Sequence, residues 1–149
     1  MFPRSRQVSM NIREFQMADY DAVTELWQRA GDGIHLRRSD AREEIAKKLQ
    51  RDPDLFIVLE HDGSLVGTVM GGFDGRRGFV YHLATDPAFR RLGVASRLME
   101  ALEARLRAKG CLKAYLLVTN DNQEAQQYYL KRGWEDMTTA LRIFGKELQ

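Results

Sequence analysis

The sequence has few covalent staples and little rigid punctuation. Among its 149 residues there is one cysteine, and there are three prolines. A lone cysteine excludes an internal disulfide and suits a reducing, cytoplasmic setting. Cys111 has no histidine near it in sequence, and "GCL" reads as the entry to a strand, so it is taken as buried filler rather than a nucleophile. Charge of one sign is scarce too: 23 Lys and Arg against 21 Asp and Glu leave a formal net charge of +2. That balance lacks the dense basic face of a nucleic-acid binder. No apolar run approaches the roughly 18 residues of a membrane span. The opening "MFPRSRQVSM" is basic with no apolar stretch behind it, which excludes a secretory signal. Residues 1–9 read as a disordered or vector-derived extension ahead of a natural start at Met10. Residues 10–149 then suffice for a single domain with a real core.

What is present is strongly patterned. "NIREF" (11–15) alternates as a short strand, and 17–31 carries Val23, Leu26, Trp27 and Ala30 at helical spacing, with Gly31 to stop it. Residues 39–53 read as a second helix, capped by Ser39 or Asp40 and closed by Pro53. "LFIVLEHDGSLVGTVMGGF" is a hairpin around Asp62-Gly63, a strong hairpin turn signal, and "FDGRRG" turns into a third strand, "FVYHLAT". Val94, Leu98, Leu102 and Leu106 recur every fourth residue up to Gly110. "KAYLLVT" is the next strand, parallel to "FVYHLAT" if the crossover is right-handed. Asn122 caps and Gly133 stops a last helix, and "WEDMTTALRIFGKEL" closes as two short strands or a hairpin. The expected order is β-α-α-β-β-β-α-β-α-β-β, an α/β chain with a mixed, mostly antiparallel sheet.

The stretch "DPAFRRLGVASRLM" (86–99) joins a strand to a helix. A helix N-terminus offers unpaired N–H groups and partial positive charge, so a turn entering it can wrap a pyrophosphate if no side chain blocks the approach. Gly93 and Ala95 keep it open, Arg90 and Arg91 add charge, Ser96 brings a hydroxyl, and the amides from Arg91 through Leu92 and Val94 to Ser96 form the cradle. A Walker loop and a dinucleotide-binding glycine fingerprint are both absent. Arg90-x-x-Gly93-x-Ala95, after "HLATDPAF" and before the aliphatic helix, resembles the acyl-CoA loop of the GNAT family of N-acetyltransferases. "NQEAQQYYLKRGW" resembles that family's late motif through Asn122, Ala125, Tyr129, Gly133 and Trp134, with tryptophan in place of the usual phenylalanine. The resemblance runs from about Asn11 to Lys146. It is nearest to small bacterial members beside the ribosomal-protein N-terminal acetyltransferase group.

The resemblance implies acetyl transfer from acetyl-CoA, as cosubstrate, to a primary amine. It implies that Asn122 bonds the pantetheine arm and that Tyr129 faces the thioester sulfur. It also implies that Leu83, Ala84 and Thr85 offer backbone groups to the pantetheine, with a backbone N–H near Leu83 for the oxyanion. That arrangement needs an unpaired strand edge, so the two parallel strands splay, with a bulge as the cause. A phenol with an ordinary pKa of about 10 stays protonated at neutral pH and can donate to a departing thiolate. The base is less legible. Strand parity sets Phe79, Tyr81 and Leu83 on the catalytic face, none of them acidic, so Tyr81 is assigned to hold a water in a proton-release chain. His82 titrates nearer neutrality but faces the other way on a regular strand, and is read as structural. No metal is expected.

For the acceptor, 31–40 is a candidate lid. Asp32, Asp40 and Glu60 could draw an amine, and Arg37 and Arg38 an anionic substrate. The amine is a small molecule or a peptide, with neither nucleic acid nor membrane as partner, and the chain is a monomer or homodimer. A non-catalytic acyl-CoA sensor is the competing expectation: it keeps the loop but has no use for Tyr129.

Overall fold

The computed structural model describes residues 9–31 and 34–149. Positions 1–8 of the expected extension, and Asp32 of the expected lid, lie outside them. The elements run β1 (Met10–Glu14), α1 (Tyr20–Arg29), α2 (Arg42–Arg51), β2 (Phe56–His61), β3 (Ser64–Phe73), β4 (Gly78–Thr85), α3 (Val94–Ala108), β5 (Ala114–Leu116) and α4 (Gln123–Lys131). They fall into two compact units, one ending at Leu117 and one spanning Val118–Gln149.

In the first unit five strands lie in the order β1-β2-β3-β4-β5. The first three pairings are antiparallel, and β4 with β5 is parallel. The Asp62-Gly63 turn forms as expected, both residues taking left-handed backbone at φ 47° and 82°. Alternation along β2 and β3 sends side chains to two faces. Phe56, Val58 and Met70 pack with Phe15, Val23, Leu26, Trp27 and Ile45 under α1 and α2. The other face of β3 carries Gly67 and Gly71, against which α3 lays its apolar stripe. A Cβ built at Gly71 would sit 2.6 Å from Leu102 Cδ1, and one at Gly67 would overlap Val94 and Leu98. Leu98, Met99 and Leu102 are fully buried there, each contributing about 1.5–3 kcal/mol of apolar transfer.

Several expectations change. The N-cap of α2 is Ala41, with no side-chain cap, rather than Ser39 or Asp40. Asp40 instead closes a short 3-10 turn at Arg38–Asp40. The strand expected over 113–119 is ordered only as Ala114–Leu116, because its partner β4 stays in register for three pairs, ending at Val80–Leu116. In the second unit α4 forms, with Asn122 Oδ1 accepting from the Ala125 N–H at 3.1 Å. The two closing strands do not: 135–149 hold no strand, and Leu141, Ile143, Phe144 and Leu148 are exposed. Alternation alone makes no strand where no ladder partner takes up the backbone groups.

Candidate active site

β4 carries the irregularity that the resemblance implies. Met70 pairs with Tyr81 and Thr68 with Ala84, so His82 and Leu83 together face the single residue Val69. This is a β-bulge, and His82 takes the left-handed conformation at φ 49°. The parity expectation is therefore corrected. Phe79 and Tyr81 stack at 5.0 Å, Ala84 joins the core under α1 and α2, and His82 turns onto that same face. Its ring stands edge-on to Trp27 at 4.9 Å, and its Nε2 lies 2.8 Å from Asp40 Oδ1. Burial pushes the half-exposed Tyr81 phenol upward, which keeps it protonated. Beyond Val80, β4 runs on to Thr85 with no partner in β5.

The strand leads into the loop. Asp86 Oδ1 accepts from the Ala88 N–H at 2.9 Å across a 3-10 turn at Pro87–Phe89, and Arg29 pairs with the same carboxylate at 3.1 Å. Arg91 and Gly93 then take left-handed backbone at φ 64° and 80°, and α3 starts at Val94 without a side-chain cap. The first helical bond runs from the Arg97 N–H to the Gly93 carbonyl, which leaves the Val94, Ala95 and Ser96 amides ahead of the helical ladder. A Cβ at Gly93 would meet nothing within 4 Å, so no side chain crowds that position. Successive amides entering a helix from left-handed backbone suit an anion. Leu92 projects outward at 56% exposure. Arg90 is partly committed: its guanidinium donates to the Ala30 carbonyl at 2.6 Å, tying the loop to the C-terminal end of α1.

Two acids expected to attract an amine have other partners. Glu60 accepts from Arg13 at 2.8 Å, beside Asp19, whose carboxylate the same guanidinium holds below its usual range. Asp40 is buried, with Oδ2 accepting from the Arg37 N–H at 3.0 Å and its carbonyl from the Tyr20 hydroxyl at 2.8 Å. In the second unit Tyr129 packs edge-on to Tyr128 and Trp134, at 5.3 and 5.9 Å. Burial and the neighbouring Tyr128 drive its phenol well above the usual range, against the opposing pull of Arg132. Among the described residues no helix is long and apolar enough to cross a membrane.

A mixed sheet whose β4 is bulged and leaves β5 beyond Val80 thus runs into an uncapped helix start that opens on a glycine. The sequence profile of the GNAT acetyltransferase family matches residues 18–134. The chain belongs to that family. It is 44% identical over 139 residues to an acetyltransferase of Pectobacterium atrosepticum, covering 93% of this chain and 96% of the relative. Among solved structures it is similar to Ard1 of Thermoplasma volcanium (TM-score 0.74, 31% identity, 85% of this chain and 82% of that one). In fold it also matches the PaiA N-acetyltransferase of Thermoplasma acidophilum in complex with coenzyme A (TM-score 0.73, 19% identity, 83% and 88%). These likenesses make it an acyl-CoA-dependent acetyltransferase, which displaces the sensor expectation.

Proposed function

We propose that the chain moves an acetyl group from acetyl-CoA to a primary amine by direct attack within a ternary complex, in the cytoplasm. The observation that carries this is the pair of left-handed residues, Arg91 and Gly93, ahead of the uncapped α3. The Arg91 to Ser96 amides would hold the pyrophosphate, with Leu92 outside the cradle and Arg90 and Arg91 supplying charge. Leu83, Ala84 and Thr85, on the strand edge that β5 leaves, would pair with the pantetheine arm. Asn122 already uses its side-chain carbonyl in the α4 cap, which leaves its Nδ2 donors for that arm.

In the reaction the amine nitrogen attacks the thioester carbon, the new N–C bond replaces the C–S bond, and the electron pair leaves on sulfur. Tyr129 donates the proton that sulfur needs. Its raised pKa keeps it protonated through neutral and mildly alkaline pH, as a general acid requires. Tyr81 anchors a water on the acceptor side. The likeness to a relative carrying coenzyme A supports the donor, since the local geometry of the loop also suits a diphosphate.

Calorimetry with coenzyme A should register tight binding. Incubation with acetyl-CoA and a panel of peptide, polyamine and aminoglycoside amines should release free thiol. Tyr129→Phe should lower kcat by about 100-fold or more with CoA affinity unchanged. No heat on titrating CoA would end this reading.

A further inference from the structure

We infer that His82 is the base of this enzyme, taking the acceptor ammonium's proton at Nδ1, with Asp40 as its positioning residue. The inference rests on the acetyl-transfer reading above and adds to it a proton acceptor. The geometry is that of an oriented imidazole. Asp40 is buried, its Oδ1 lies 2.8 Å from His82 Nε2, and its Oδ2 is held by the Arg37 amide. An ionised carboxylate only accepts, so Nε2 must carry the hydrogen. The lone pair then sits on Nδ1, which has no hydrogen-bond partner among the described residues. Trp27 fixes the ring plane from α1.

The backbone gives a second, independent argument. A histidine that only packed the core would need no left-handed conformation. Here φ 49° turns the ring from the side that strand parity assigns it onto the face of Tyr81. Other titratable or charged groups around it belong to three further elements. Tyr20 of α1 bonds the Asp40 carbonyl. Lys48 of α2 reaches toward Gly72, beside Tyr81, but is paired with Asp52 at 2.8 Å. Arg37 and Arg38 lie in the turn that Asp40 closes. Of these groups only Asp40 bonds the imidazole.

The step balances. Nδ1 takes one proton from the ammonium, directly or through one water, and frees the nitrogen lone pair that forms the N–C bond. After attack the nitrogen gives up its second proton to solvent as the C–S bond breaks. Sulfur receives its proton from Tyr129, solvent returns one to the Tyr129 phenolate, and the imidazolium releases its own, so one proton is released per acetyl transferred.

The test is the pH dependence of kcat/KM, read with acetyl-CoA and whichever amine of the panel turns over fastest. Wild-type protein should show an acidic limb that reports His82. His82→Gln should erase that limb and lose about 100-fold in kcat/KM, while its CoA affinity by calorimetry stays within about twofold of wild type, since no contact to the loop is removed. His82→Asn, which tolerates left-handed backbone, repeats the experiment if the Gln variant folds poorly. Asp40→Asn turns an amide N–H toward Nε2 and reverses the tautomer; it should lower kcat more than it raises KM. An unchanged limb and kcat/KM within about threefold of wild type in the folded His82 variants, well short of a general base's share, overturns the inference alone. Wild-type protein that binds CoA but acetylates no amine overturns the parent reading and this inference with it.

Discussion

The two halves of β4 differ in almost everything but their chain. From Gly78 to Val80 the strand is paired on both sides, to β3 and to β5, and Gly78 lies tight against Ala114 and Cys111. From Tyr81 to Thr85 it is bulged and has lost β5. The first half spends its backbone groups on the ladder to both neighbours, whereas the second has none paired to β5. One strand thus holds a fully paired segment and a bulged one, and the bulge centres on a residue in left-handed backbone, His82.

This contrast predicts that substitutions in the paired half act on stability and those beyond it act on turnover. Gly78→Val gives the largest effect. A Cβ there would stand 2.9 Å from Cys111 Sγ and 3.2 Å from Ala114 Cβ, so thermal unfolding should show a loss of about 3 kcal/mol. Surviving folded protein should still acetylate, and a comparable loss of kcat would erase the distinction between the halves. His82→Val comes next. A β-branched residue at φ 49° costs about 2 kcal/mol, and His82→Asn should recover most of that stability and none of the activity. Denaturant titration of the two variants together checks it.

Gly93→Ala probes the loop that the open half feeds. The free loop can relax away from φ 80°, so the strain of about 1 kcal/mol reappears on binding and weakens coenzyme A about fivefold by calorimetry. Tyr81→Phe should be smallest. It keeps the stack on Phe79, so stability at neutral pH changes by less than about 0.5 kcal/mol. Burial raises the Tyr81 pKa in the folded protein. Its contribution to stability is therefore intact below pH about 10 and is lost as pH climbs through the raised value. Unfolding curves at alkaline pH should lose that decline in the Phe variant.

Much of this was legible from residue order. The Asp62-Gly63 turn, the fourth-residue spacing of Val94 to Leu106 and the glycine-opened loop all report local chemistry, and local chemistry formed as read. The bulge was expected somewhere, but its position was not readable. Neither glycine nor proline marks it, and a histidine in left-handed backbone follows from tertiary contacts to Trp27 and Asp40. Those partners lie far away in sequence, so Asp40 looked like a helix cap. Arg90 looked free for the same reason, because the Ala30 carbonyl that holds it belongs to a different helix. The closing strands failed in the opposite direction. Alternating apolar residues such as Leu141 and Ile143 signal a strand, but pairing is decided by the neighbour, and the segment remains exposed.

Gly67 and Gly71 set the height of the whole loop. Where β3 shows bare main chain to α3, the helix descends until methyl groups rest on peptide planes. A rod seated in two such notches has one depth and little room to slide. The mouth at Val94, directly above Gly67, therefore inherits its place from side chains that are missing one strand away.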